Sequence, residues 1–334
     1  MGLFTRLGDQ ELVDVAGVFS LGELRAFEPI AAGTINSNFA VETDRGRWFV
    51  RVNEGKAEAD VAWEARLVEA LAAAGVATPP PVSARDGRPY APLAGSHGKW
   101  VSVFPWRSGR HLSPADVTED HAAELGSALA SMHLAGAELP RSWRRGSIYD
   151  HDHLVARYHR FAASVDPALA RAIALLGEEL AYLDEAAPVR RAASSGLIHG
   201  DLFRDNVLWK GPAGPASAAS GPRVVAILDF EQASGGSLAY DLAVCINDWC
   251  WTGEPRLELV SALLTGYQRK RRLPGSDREA LLIEVRAAAA RFTITRITDV
   301  YLARVDQPEK DFRAFLARCE AWRGPALGQL TALL

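Results

Sequence analysis

A chain of 334 residues exceeds what one hydrophobic core usually supports, so two domains or lobes are expected. Its 37 basic and 41 acidic residues leave a net charge of −4, which gives no electrostatic footprint for a phosphate backbone or an anionic lipid surface and disfavours nucleic acid and membrane partners. No run of about 18 apolar residues could span a bilayer, the start MGLFTRLGDQELVD lacks the apolar stretch of a signal peptide, and Cys245, Cys250 and Cys319 are too few for a disulfide framework; a reduced, cytoplasmic protein is expected.

Residues 9–18 combine an acidic start with apolar spacing and predict a short helix. Two strand-like runs follow, Gly33 to Val41 and Arg47 to Val52, around a turn at Arg45-Gly46, which predicts a β-hairpin with a glycine at its entrance. The Ala-, Glu- and Leu-rich segment 57–74, stopped by Gly75, predicts a helix laid across that sheet. Trp100 to Phe104 reads as a further strand, and Pro105-Trp106-Arg107-Ser108-Gly109 as the hinge, which divides the chain into lobes 1–104 and 105–334. Helices dominate beyond it: 122–133, 168–186 and a long amphipathic run over 278–302. Short apolar runs return between Leu197 and Phe230, interrupted by a low-complexity stretch from Lys210 to Pro222 that reads as a solvated hairpin tip.

The segment Ile198-His199-Gly200-Asp201-Leu202-Phe203-Arg204-Asp205-Asn206 has the H-x-D-x-x-x-x-N spacing of a kinase catalytic loop. Phosphoryl transfer to an alcohol needs a carboxylate that takes the hydroxyl proton and an amide oxygen nearby that can ligate magnesium; Asp201 and Asn206 supply both. His199, locked between strand and turn, is expected to brace the loop. Val224 to Phe230 is a buried strand ending in Asp229, where kinases carry a metal-binding acid. Glu231 follows Phe230 where protein kinases have glycine, so their mobile switch is not expected. Taken singly, an HGD tripeptide is a strand-to-loop transition and a terminal Asp is a strand end. In this order, with strands before and helices after, they point to an ATP- and Mg2+-dependent kinase.

With these motifs in place, the chain resembles the aminoglycoside phosphotransferase-like kinases and, within them, the homoserine kinases of that type. The resemblance is carried by Asn36-Ser37-Asn38-Phe39, Met132-His133-Leu134-Ala135-Gly136-Ala137, HGDLFRDN, the run Ala239 to Cys250 and the run Arg291 to Arg296. It implies an α+β, two-lobed protein-kinase-like fold, with a small antiparallel-sheet lobe, a larger mainly helical lobe and ATP between them. It also implies that Gly33, Asn36, Ser37 and Asn38 cover the phosphates by close backbone approach. Arg51 then stands where kinases carry the phosphate-binding Lys, Glu64 where its ion-pair partner belongs, and Phe104 and Trp106 at the nucleotide. Arg for Lys is a departure, since Arg is a planar, permanent cation. Asp241 is implied as a support of the catalytic loop, and Asn247 and Trp249 as residues facing the acceptor.

A zwitterionic acceptor such as homoserine needs a guanidinium for its carboxylate, with Arg204, Arg291 and Arg296 as candidates, and an acid for its ammonium, with Asp248, Asp299 and Glu231 as candidates. The implied activity is phosphorylation of the homoserine hydroxyl, the step that commits carbon to threonine. Glu231-Gln232 replaces the aromatic or apolar pair associated with homoserine kinases, which keeps an aminoglycoside, a choline-like amino alcohol or a sugar as alternative acceptors. A non-catalytic pseudokinase is the reading from another class, and the intact Asp201, Asn206 and Asp229 speak against it.

Overall fold

Alternation in Trp48-Phe49-Val50-Arg51-Val52 places β-branched and aromatic residues on both faces of a strand, which suits the centre of a sheet with a covering on each side. In the computed structural model, which describes residues 5–30, 36–95, 98–210 and 221–334, this run lies inside the first of two compact units, Met1–Gly109 and Arg110–Leu334. The division comes after Gly109, so Pro105 and Trp106 go with the first unit, beyond the boundary expected after Phe104. Gly33 and the low-complexity residues 211–220 lie outside the described residues.

The first unit consists of α1 (Asp9–Val18), β1 (Leu24–Ile30), β2 (Ser37–Thr43), β3 (Gly46–Asn53), α2 (Glu58–Ala73), β4 (Ala91–Pro92) and β5 (Trp100–Pro105). Its strands form one antiparallel sheet in the order β1-β2-β3-β5-β4. Val50 and Val52 point into a core with Phe39, Val41, Val101 and Val103, closed by Leu12 and Val15 of α1. Phe49 and Arg51 therefore face the other way. The predicted helix 57–74 is α2, and its end has a defined chemistry. Gly75, at φ +84°, donates to the Ala72 carbonyl at 3.0 Å and Val76 donates to Leu71 at 3.0 Å, a Schellman stop that glycine adopts without a Cβ penalty. The first hairpin strand begins at Ser37 within the described residues, so Ser37 and Asn38 are strand residues and not turn residues.

The second unit contains α3 (Glu119–Glu138), α4 (His151–His159), α5 (Ala170–Glu185), α6 (Ala187–Ala192), β6 (Ser195–Ile198), β7 (Val207–Trp209), β8 (Val224–Ile227), β9 (Ser234–Ser237), α7 (Leu238–Trp249), α8 (Leu257–Gln268), α9 (Gly275–Arg296), α10 (Arg313–Trp322) and α11 (Pro325–Leu333). β6 pairs with β9 and β7 with β8, both antiparallel. The expected helix 278–302 corrects in two ways. It ends as an α-helix at Arg296 and continues as a π-helical turn, Ile297–Tyr301. It is also not amphipathic: Leu281, Val285, Ala287, Ala288, Ala289 and Ala290 are all buried, and its charges are neutralised inside, Glu284 by Arg190 at 2.9 Å, Asp277 by Arg271 at 3.0 Å and Arg286 by Glu179 at 2.7 Å. All three cysteines are free and buried, and burial pushes the Cys319 thiol up to about 12.

Candidate active site

The site in the second unit is built on the exit from β6. Leu197 and Ile198 anchor the strand in the interior, and Gly200 then turns the chain at φ +78°, a conformation that favours glycine. Asp241, in the first turn of α7 and fully buried, holds this turn by accepting the His199 N–H at 2.7 Å and the Gly200 N–H at 2.8 Å. His133 of α3 reaches the same carboxylate through Nε2 at 3.0 Å and meets the Tyr267 hydroxyl through Nδ1 at 2.8 Å. His199 accepts the Asp201 N–H at Nδ1 (3.3 Å), which leaves its Nε2–H to donate to the Leu228 carbonyl at 2.9 Å. The loop backbone is thus held directly by α7, which α3 and α8 brace in turn, while the His199 ring ties it to the residue that follows β8.

Asp201 itself keeps a side chain 29% exposed, with Oδ1 3.2 Å from Arg291 Nη1. Arg291 is 4% exposed and its guanidinium lies 4.2 Å from the Tyr149 ring and 3.7 Å from that of Phe292. Burial raises the Asp201 pKa above the ordinary carboxylate value, and the Arg291 charge opposes that rise.

Asn206 donates its amide to the Asp201 carbonyl at 2.8 Å, and the Leu228 N–H bonds to the Asn206 carbonyl at 2.8 Å. Together with the Val207–Ile227 pairing of β7 and β8, this brings Asn206 and Asp229 to the same end of one ribbon. Asp229 sits at φ 61°, ψ 68°, a left-handed conformation that costs a non-glycine residue on the order of 1 kcal/mol and that Asp tolerates better than most. Strain at this position accompanies a buried carboxylate oxygen. Arg145 braces the turn that follows by donating to the carbonyls of Glu231 and Ala233. An anionic oxygen from Asp229 and an amide oxygen from Asn206 are hard donors that suit Mg2+. Among the described residues no group of three or more His, Cys, Asp and Glu could hold a metal.

Several expected acceptor residues have other work. Arg204 and Asp248 are brought to each other: the Arg204 N–H donates to Asp248 at 2.9 Å and its guanidinium pairs with the carboxylate at 3.1 Å. Asn247 is fully buried, with its amide spent on the Ala243 and Val285 carbonyls and on Trp322. Trp249, 1% exposed, donates to the Leu202 carbonyl at 2.9 Å and so supports the catalytic loop from below. Asp299 pairs with Arg157 at 2.6 Å. Glu231 is half-buried, its backbone held by Arg145. Arg296 donates to the Asp311 carbonyl at 3.1 Å and lies 4.4 Å from the Phe315 ring.

In the first unit Arg51 pairs with Glu64 at 3.0 Å, and Lys56 joins the same carboxylate at 3.0 Å. The Arg51 guanidinium lies 5.8 Å from Phe49 and 5.9 Å from Phe104, so Arg51, Glu64 and Phe104 form one cluster. Trp106 instead stacks under Arg47 at 4.0 Å. Asn36, Ser37 and Asn38 are buried, Ser37 donating to Glu54 at 2.8 Å and accepting the Thr5 N–H at 2.9 Å. Sequence reasoning assigned no role to His133, Arg145, Tyr149, Tyr267 or Lys56. His133 stood in a string already singled out; the others carry no local pattern, since each acts across a separation that only the fold closes.

Comparison with known proteins agrees with this geometry. A model of the phosphotransferase enzyme family (APH) matches residues 26–281. A homoserine kinase from Paramagnetospirillum magneticum is 34% identical over 303 residues, 90% of this chain and 89% of the relative, and one from a Caulobacter species is 35% identical over 305 residues, 90% and 89%. An amicoumacin kinase solved in complex with AMP-PNP, Ca2+ and Ami superposes with a TM-score of 0.72 at 13% identity, covering 95% of this chain and 94% of that one, which speaks to the fold alone. With its antiparallel-sheet unit, its mainly helical unit and this loop, the chain belongs to the phosphotransferase enzyme family and has the α+β, protein-kinase-like fold.

Proposed function

We propose that the chain is an ATP-dependent homoserine kinase, transferring the γ-phosphoryl group of ATP to the side-chain hydroxyl of L-homoserine, on the route to threonine. The observation that carries the reading is an end-to-end one: relatives named homoserine kinase match 90% of this chain at 34% and 35% identity. The loop chemistry supports it. Asp201 accepts the hydroxyl proton as the acceptor oxygen forms its bond to phosphorus and ADP departs. Arg291 fixes the direction of that carboxylate and favours its ionised form. Asn206 and Asp229 are the residues that would hold Mg2+, which when bound neutralises charge on the phosphates. In the other unit Arg51, oriented by Glu64, is assigned to phosphate, and Phe104 and Trp106 to the nucleotide. Gly33, Asn36, Ser37 and Asn38 are assigned to the phosphates by the resemblance, with Gly33 outside the described residues and the Ser37 hydroxyl already committed to Glu54 and Thr5.

A second reading, another hydroxylated amine as acceptor, is favoured by Glu231-Gln232, whose Gln232 Oε1 is buried with no hydrogen-bond partner among the described residues. Steady-state assays with ATP and Mg2+ against homoserine, homoserinol, choline and aminoglycosides decide between the two. Homoserine is expected to be the best acceptor, with homoserinol about 30- to 1000-fold lower in kcat/KM for want of the carboxylate. Choline or an aminoglycoside outcompeting homoserine would leave only the kinase assignment standing.

A further inference from the structure

Three arginines stood as candidates for the acceptor carboxylate, and they differ in what neutralises them. Arg204 carries Asp248, bonded through both backbone and guanidinium. Arg291 carries Asp201. Arg296, the last α-helical residue of α9, has one hydrogen bond, to a backbone carbonyl, and the ring of Phe315. Among the described residues no carboxylate lies within ion-pairing distance of it. Burial draws its pKa below the ordinary guanidinium value. On the same Phe315 ring, 4.3 Å away, sits Arg318, 9% exposed and bonded to the Asn247 and Ala314 carbonyls; burial pushes its pKa down to about 10. Two guanidiniums, Arg318 buried and Arg296 half-buried, therefore share one ring with no carboxylate within ion-pairing distance, an arrangement that an anion would relieve.

The place of this charge excess is informative. Phe315 stacks on Phe203, two residues beyond Asp201, with ring planes 2° apart and centroids at 5.8 Å. Arg296 lies five residues along α9 from Arg291, about 7.5 Å of helix rise and about 140° around the axis, and the Asp201 carboxylate is near enough to act on its charge. The helix also leaves the α-helical pattern immediately after Arg296, with a π-helical turn of the kind that occurs at functional sites.

Resting on the homoserine reading, we infer that Arg296 binds the carboxylate of the acceptor in a bidentate contact, with Arg291 reserved for Asp201. The test compares homoserine with homoserinol at saturating Mg2+ and ATP in wild type, R296M and R296Q. In R296M the kcat/KM for homoserine is expected to fall by about 10- to 100-fold, mostly in KM, while that for homoserinol stays within about threefold. Homoserinol turnover is the internal check on folding, and R296Q, which keeps a polar head of similar reach, carries the same comparison should R296M not fold. A parallel fall for both acceptors, a raised ATP KM with acceptor preference intact, or no change overturns the inference and leaves the homoserine reading standing. A wild-type enzyme that uses both acceptors equally overturns the homoserine reading, and the inference with it.

Discussion

Asp201 has to be ionised to take a proton, yet its surroundings work against its charge. Burial raises its pKa, and Arg291 at 3.2 Å is the opposing influence. The acid limb of the kcat/KM profile reports this group in the free enzyme and is expected above the ordinary carboxylate range. Replacing Arg291 with Met removes the cation that favours the charged form, so the limb moves to still higher pH; a limb that stays in place would separate Asp201 from the titration. Asp201→Asn keeps size and most hydrogen bonding but removes the proton acceptor, and turnover is expected to drop by about 10²-fold or more with nucleotide binding retained. Near-normal turnover in that variant would remove Asp201 from the chemistry.

At the scale of elements, the loop depends on how closely α3 and α8 approach. A Cβ built on Gly266 would lie 1.9 Å from the Ala123 carbonyl oxygen, and one on Gly126 would lie 2.1 Å from that of Leu263. Both clashes are with backbone, so no side-chain rotation relieves them. The same two helices carry His133 and Tyr267, whose 2.8 Å contact continues to Asp241 and thence to the His199 and Gly200 N–H groups. Gly266→Ala is therefore expected to cost about 1–3 kcal/mol or more and to lower kcat beyond what the stability loss explains, measured by thermal denaturation and turnover on the folded fraction. Unchanged melting would show that the helices have slack. Helices with capped or glycine-stopped ends, such as 9–18 and 57–74, were legible in the sequence, as were the catalytic motifs, because each is a local pattern. β1 was not: it is an edge strand with a largely exposed face and a Pro, so alternation is weak. Nor was the internal use of Asn247, Trp249 and Asp248, since polar residues on a buried helix read alike whether their partner is a substrate or the fold.

The whole molecule divides its tasks between two units with separate interiors, one around Phe39, Val50, Val52 and α1, the other around α9. In the proposed enzyme the nucleotide's metal is held by Asn206 and Asp229 of the second unit, so nucleotide binding is a stabilising link to the folded state. A ligand at about 100 times its Kd adds about 2.7 kcal/mol, which in a protein of this size is a rise of several degrees in Tm. A non-hydrolysable ATP analogue with Mg2+ is expected to raise the Tm of wild type and of Asp201→Asn equally, because the proposed role of Asp201 is toward the acceptor and not the nucleotide. Asp229→Asn separates the contributions. Asn tolerates the left-handed conformation at φ 61° at least as well as Asp, so the substitution adds no backbone strain. Without the anionic oxygen the variant should lose most of the Mg2+-dependent part of the rise and recover it only at higher Mg2+. If Asp229→Asn keeps the full Mg2+-dependent rise at the wild-type Mg2+ concentration, the cation is held elsewhere and the metal assignment falls, while the proton-acceptor role of Asp201 is left to its own test.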